Sequence, residues 1–280
     1  MRPLFELAKS LPSQPLNIFA PDKFIQFNEL GSTGFGDRLR GIALMAFLAS
    51  IYRANQICYK EESSDAFPWK LTNIISFDGL EFISDQRASQ LPQLLEVNHN
   101  CSKGTTIKRF GYKHMKRLRP SSIDIRKKLD SLALGANYIG IHVRTTDSAH
   151  PMEGKARDNG KSSRSILDSI HLAQQKYGYS HAYLACDSLV ARENWVSLLA
   201  KHTDLKLSWN SSAKYDSSIL RQTGADDMLI DFFALSKCAY LIRSVPSEFS
   251  RFAGLVGGLK MQYNQLEGLL KNSESTRLGP

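Results

Sequence analysis

The chain has 280 residues, 42% of them hydrophobic and 22% charged, a mixture suited to a globular protein of one large or two small domains. That composition excludes a collagen-like, mucin-like or disordered polymer, and no apolar run nears the roughly 20 residues that span a bilayer. Thirty-six Lys and Arg against 27 Asp and Glu leave +9, of which the segment Lys108 to Lys128 holds +8, with nine basic residues and one acid, Asp124. By itself this stretch suits an anionic lipid surface, a phosphorylated ligand or a nucleic acid, and equally a solvated link between domains. Because the rest of the chain is nearly neutral, no nucleic-acid partner is expected.

Met1 to Ser10 has no apolar core before Glu6 and Lys9 interrupt it, so no secretory signal is expected. Cys58, Cys101, Cys186 and Cys238 lack C-x-x-C spacing. The expectation is a cytoplasmic chain with free thiols, with peripheral contact at the inner membrane face through residues 108–128.

In chain order, Phe24 to Phe27 reads as a strand, followed by the glycine-rich Gly31-Ser-Thr-Gly34-Phe-Gly36. A helix is predicted from about Asp37 to Tyr52, with Leu39, Ile42, Ala43, Ala46, Phe47 and Ile51 on one face at helical spacing. Gln56 to Tyr59 reads as the next strand. A less regular middle follows. A second block then alternates strands at 138–143, 181–185, 205–209 and 239–242 with helices at about 164–177, 189–200, 226–236 and 248–256. Such alternation implies a parallel sheet covered on both faces, with ligands bound outside the carboxyl ends of its strands.

The loop Gly31 to Gly36 has Walker A glycine spacing, but Asp37 stands where the phosphate-binding Lys belongs. As a dinucleotide fingerprint it fails at Leu39. What remains is a tight loop opening a helix, whose N–H groups suit an anion or a sugar; glycines needed only for the turn explain it equally well. At the end of strand 138–143, Arg144 leaves the sheet where a guanidinium grips phosphate oxygens with two hydrogen bonds. His142 alone reads as a structural histidine, and Asp147 would orient Arg144 or cap the next segment. Asp187, after strand 181–185, suits a ribose or base, or else opens the next helix with Ser188. Ser247 to Ser250 present hydroxyls and N–H groups at a helix start, a place for an anion or for plain capping. No H-x-x-x-H or D-x-D pair suggests a metal, and no G-x-S-x-G elbow suggests a serine hydrolase.

Taken together these segments resemble the fucosyltransferase superfamily that contains the rhizobial nodulation α-1,6-fucosyltransferase, its animal α-1,6 relatives and protein O-fucosyltransferases. Gly34-Phe-Gly36-Asp37-Arg38-Leu39 looks like that family's G-x-G-[DN]-R-L loop, and Ile141-His142-Val143-Arg144-x-x-Asp147 like its H-V-R-x-x-D motif. Leu235-Ser236-x-Cys238 with Ser247-x-Phe249-Ser250-Arg251 is similar to its final signature.

The resemblance implies an α/β fold of GT-B type: two Rossmann-like domains, 1–135 on the acceptor side and 136–280 on the donor side, with parallel sheets facing a cleft. It implies GDP-fucose as donor, a glycan, lipid-linked oligosaccharide or peptide as acceptor, inversion at the anomeric carbon, and neither metal nor further cofactor. Arg144 would stabilise the leaving diphosphate and Asp37 would act as base. Gly34, Gly36, Arg38, His142, Asp147, Asp187, Ser247, Phe249, Ser250 and Arg251 would bind the donor. Thr145 stands where many members carry a second Arg, and Glu248 where they carry a small residue, which leaves room for another nucleotide sugar or for a binding-only member of the fold.

Overall fold

Residues 23–28, 34–61, 67–98, 112–135, 137–144, 163–215, 223–244 and 247–259 are described by a computed structural model of the chain. They fall into two units divided between Arg126 and Lys127, ahead of the 135/136 boundary expected from sequence.

The first unit begins with β1 (Phe24–Asn28), α1 (Phe35–Tyr52) and β2 (Gln56–Lys60), in which β1 and β2 pair in parallel from Phe24↔Gln56 to Asn28↔Lys60. Short pieces follow: α2 (Leu71–Ile74), β3 (Ile75–Phe77), β4 (Glu81–Phe82), α3 (Asp85–Ala88) and β5 (Gln93–Asn98). A 3₁₀ turn (Tyr112–Arg117), β6 (Leu118–Pro120) and α4 (Ile123–Ser131) complete it, α4 crossing the division. The main sheet runs β4-β2-β1-β5 with every pairing parallel, and β3 pairs with β6 in a separate antiparallel ribbon. None of the elements between 61 and 135 had been read from sequence.

The single apolar stripe expected on α1 is too narrow. Leu44, Met45, Leu48 and Ala49 are buried along with Leu39 and Ile42, while Ile51, placed on the stripe, is 36% exposed. A helix apolar on most of its circumference is one covered on most of its circumference. The 3₁₀ turn packs on it as well as the sheet.

The second unit contains β7 (Ile139–Val143), α5 (Ser163–Tyr177), β8 (His181–Cys186), α6 (Leu189–His202), β9 (Lys206–Ser208), α7 (Ala225–Lys237), β10 (Tyr240–Arg243) and α8 (Glu248–Gly257). Its sheet order is β10-β7-β8-β9, all parallel. The chain steps from β7 outward to β9 and then returns to lay β10 on the other side of β7. The strand order therefore reverses between β7 and β10, where open α/β sheets hold ligands.

Strand alternation divides the core. Ile139, Ile141 and Val143 pack with Ile166, Ile170 and Ala173 of α5. Gly140 and His142 face the opposite way, and a Cβ on Gly140 would come within 2.8 Å of the Cys238 Sγ at the end of α7. Glycine there lets α7 lie close over β7. The end of α8 meets α7 as tightly: a Cβ on Gly257 would overlap the Ser236 carbonyl oxygen. Cys58, Cys186 and Cys238 are buried free thiols; Cys101 lies outside the described residues. Among the described residues no helix is long and apolar enough to cross a membrane.

Candidate functional site

The predicted residues form two groups, one in each unit. In the second unit, the parallel pairing of β7 with β10 brings the end of β7 to the start of α8. The Arg144 backbone N–H donates to Ser244 Oγ at 3.0 Å, and Arg144 Nη1 donates to Ser247 Oγ at 3.2 Å across 103 residues of sequence. Ser247 is the N-cap residue of α8, but its hydroxyl makes no capping bond to the helix backbone. Ser250 turns inward, its hydroxyl donating to the Ser247 carbonyl at 3.2 Å. The register Val143↔Cys186 brings Arg144 and Asp187, each one residue further on, side by side at the carboxyl edge of the sheet. One guanidinium, a buried serine hydroxyl and the first turn of a helix therefore meet at the topological switch point. That is the equipment an anionic group needs.

His142 and Phe249, expected to bind the donor, pack on each other. His142 is 6% exposed and its ring stacks on Phe249 at 5.1 Å, while Phe249 meets Phe232 edge-on at 5.3 Å. One face of the Phe249 ring is thus covered from within. The stack bolts β7, α7 and α8 together under the crevice. Arg251 Nη1 donates to Glu248 Oε1 at 3.0 Å, one helical turn back. Asp147 and Thr145 lie outside the described residues.

In the first unit, α1 begins two residues earlier than expected, with Gly34 at its N-cap, so Gly36 and Asp37 belong to its first turn rather than to a preceding loop. Gly34 and Gly36 are buried. Asp37 is half-exposed, pairs with Arg40 at 3.2 Å, and sits where the positive end of the helix dipole favours a carboxylate.

Arg38, expected to bind the donor, is wholly buried, its Nη1 2.9 Å from Glu61 Oε2 and its guanidinium 4.8 Å from the centre of the Phe67 ring. Glu61 also accepts from the Leu71 N–H at 2.5 Å. Burial pushes the Glu61 carboxyl above its ordinary range, and Arg38 with the N–H groups of Leu71 and Thr72 pulls it back. The pair ties the first turn of α1 to the end of β2 and the start of α2. Sequence reasoning missed Glu61; an acidic residue at the end of a predicted strand was the available signal.

A second cluster escaped the sequence reading. On the α7 side of β8, Tyr183 Oη donates to Asp231 Oδ1 at 2.6 Å. One turn earlier in α7, Asp227 accepts from Asn210 Nδ2 at 2.8 Å and from the Lys214 N–H at 3.0 Å. Arg192 donates to the Asn210 carbonyl and lies over the Tyr215 ring. Burial pushes Asp231 up to about 7, opposed by the Tyr183 hydrogen bond. The cluster anchors the segment after β9 to α7, behind the carboxyl end of β8. Among the described residues, no group of three His, Cys, Asp or Glu gathers as a metal site would require.

The basic stretch is only partly a free surface. Arg117 Nε donates to the Asp78 carbonyl at 2.6 Å and its guanidinium lies over Phe77, while Arg119 pairs with the Asp78 carboxylate at 2.9 Å. Lys113, Lys116, Arg126, Lys127 and Lys128 are exposed. Lys108 and Arg109 lie outside the described residues.

No protein-family model matches the chain, and no curated protein matches it in sequence. Solved structures do match in fold. NodZ α-1,6-fucosyltransferase co-crystallised with GDP has a TM-score of 0.50 at 18% identity, over 84% of this chain and 92% of that one. The same enzyme soaked with GDP-fucose gives 0.51 at 17%, over 84% and 92%. POFUT1 in complex with GDP gives 0.55 at 11%, over 84% and 94%. At these identities the likeness is one of architecture, and the mixed α/β fold with parallel sheets matches that of GT-B fucosyltransferases.

Proposed function

We propose that the chain is a glycosyltransferase that moves fucose from GDP-fucose to a hydroxyl of a glycan, a lipid-linked oligosaccharide or a peptide. The observation that carries this reading is Arg144 on Ser247 at the β7/β10 switch point. The GDP and GDP-fucose complexes of NodZ and POFUT1, which share the fold, support it. Fold alone does not specify chemistry, so the reading rests on what these side chains do.

Breaking the bond between sugar and diphosphate leaves negative charge on the departing oxygens. Arg144 is prepositioned by Ser244 and Ser247 to receive that charge without reorganising, which is where electrostatic stabilisation counts most. The N–H groups of the first turn of α8 add to it. Asp187 at the end of β8 addresses the nucleoside. The acceptor hydroxyl attacks the anomeric carbon from the face opposite the leaving group, which inverts it, and its proton passes to a general base, the role the family resemblance gives Asp37. In this scheme no metal is called on.

Calorimetry with GDP-fucose, GDP-mannose, GDP and UDP, with and without EDTA, tests the reading. Micromolar binding of GDP-fucose and GDP that ignores EDTA supports it. Preference for another nucleotide replaces the sugar and keeps the transferase, and absence of all nucleotide binding by folded protein removes the enzyme. Arg144→Ala abolishes transfer without unfolding the chain, and Arg144→Lys stays poor because an ammonium cannot reproduce the planar fork. Undiminished turnover in either variant takes Arg144 out of the mechanism.

A further inference from the structure

Glu248 is the first residue of α8, directly after Ser247, and is therefore a carboxylate at the helix end that faces the crevice. Its partner Arg251 stands one turn on, with the side chains 24% and 20% exposed, so the ion pair is part-buried at the start of the helix. An anion held by Arg144 and the start of α8 would find one negative charge already in place. It would also find the one guanidinium of this helix, that of Arg251, already engaged.

That arrangement acts unequally on donor and product. In a nucleotide sugar the terminal phosphate is esterified; after transfer the nucleoside diphosphate carries one more ionised oxygen. A fixed carboxylate beside the diphosphate therefore repels the product more than the donor. Resting on the transferase reading above, we propose that Glu248 is a specificity-determining residue, which holds Arg251 and disfavours the free nucleoside diphosphate so that product leaves the crevice. The carboxylate takes no part in bond making. It sets the ratio of the two affinities.

The test is binding of GDP, GDP-fucose and inorganic pyrophosphate to wild type, Glu248→Gln, Arg251→Gln and the double variant. Glu248→Gln keeps size and a hydrogen-bond acceptor for Arg251 while deleting the charge. It is expected to tighten GDP about tenfold and GDP-fucose about threefold, the difference being the extra charge on the product. Arg251→Gln, which leaves the Glu248 charge uncompensated, is expected to weaken GDP about tenfold, and in the double variant the two charge effects offset and binding returns near wild type. An unchanged GDP to GDP-fucose ratio in Glu248→Gln, or weaker GDP binding, overturns the proposal while wild-type nucleotide binding leaves the transferase reading standing. If no nucleotide binds wild type, that reading falls. Pyrophosphate then decides on Glu248 alone: tighter binding by Glu248→Gln upholds its charge effect, and equal or absent binding overturns it.

Discussion

Removing the Glu61 carboxylate leaves a guanidinium that has no water to turn to. Arg38 is 0% exposed and the Glu61 side chain 4%, with 2.9 Å between them. At an effective dielectric of about 20, their attraction is about 6 kcal/mol, which the cost of desolvating both ions largely cancels. The intact pair therefore adds little net stability, but breaking it costs about 3–5 kcal/mol because a buried guanidinium loses its carboxylate counter-charge. Glu61→Ala also strips the Leu71 N–H of its acceptor, whereas Glu61→Gln keeps an acceptor and is expected to lose less, about 1–3 kcal/mol. Replacing both ions, as Arg38→Met with Glu61→Leu, is expected to be milder than Glu61→Ala, reduced by the lost contact of Arg38 with Phe67. Trp69 is the only tryptophan before residue 127, and it touches Phe67 edge-on at 5.5 Å. Its fluorescence in a Trp195→Phe/Trp209→Phe background therefore reports the first unit during urea unfolding. A loss under about 1 kcal/mol for Glu61→Ala refutes the assignment of Arg38 to a buried structural pair and returns it to the pool of ligand-binding candidates.

Asp231 gives stability a pH dependence of known sign. Its carboxyl rises from an ordinary 3.8 to about 7, so between those values the folded chain holds a proton that the unfolded chain has released. Stability then falls as pH rises from about 4 to 7, by up to ~1.4 kcal/mol per pH unit, and levels off above. Asp231→Asn removes that slope, read as urea midpoints at pH 5, 6, 7 and 8; an unaltered slope contradicts the assignment. Gly257→Ala drives a Cβ into the Ser236 carbonyl, an obstacle that cannot rotate away, and is expected to cost about 3 kcal/mol in thermal or urea unfolding. A neutral effect means α8 and α7 separate freely. Replacing Lys113, Lys116, Lys127 and Lys128 with Gln, which spares the Asp78 contacts of Arg117 and Arg119, is expected to reduce co-sedimentation with phosphatidylserine vesicles several-fold at low salt. Unchanged binding leaves these lysines a solvated surface.

The second unit was legible from its sequence because β7, β8 and β10 are short, mostly apolar runs, and α5 repeats its buried residues at helical spacing. Strands 138–143, 181–185, 205–209 and 239–242 and the four helices, one after each strand, fell within a residue or two of their observed ends. From that alternation alone the parallel sheet followed, and with it the end of the sheet at which Arg144, Asp187 and Ser247 had to lie. The 61–135 stretch was opaque for the opposite reason. β3, β4 and β6 are two or three residues long, too short to display any period, and they exist because neighbouring strands supply their hydrogen bonds.

What the sequence determined, then, was which residues carry the chemistry-bearing side chains and which strand ends they follow. Tertiary structure decided which of them meet. Arg144 and Ser247 are 103 residues apart and become neighbours only because β10 returns to the side of β7. Arg38 occupies the same motif as Asp37, yet one helical position, about 100° of rotation, turns it from the surface into the interior toward Glu61. Spacing along a chain specifies the face of an element, and only the packing of elements against one another specifies whether that face meets water, a ligand or a buried counter-charge.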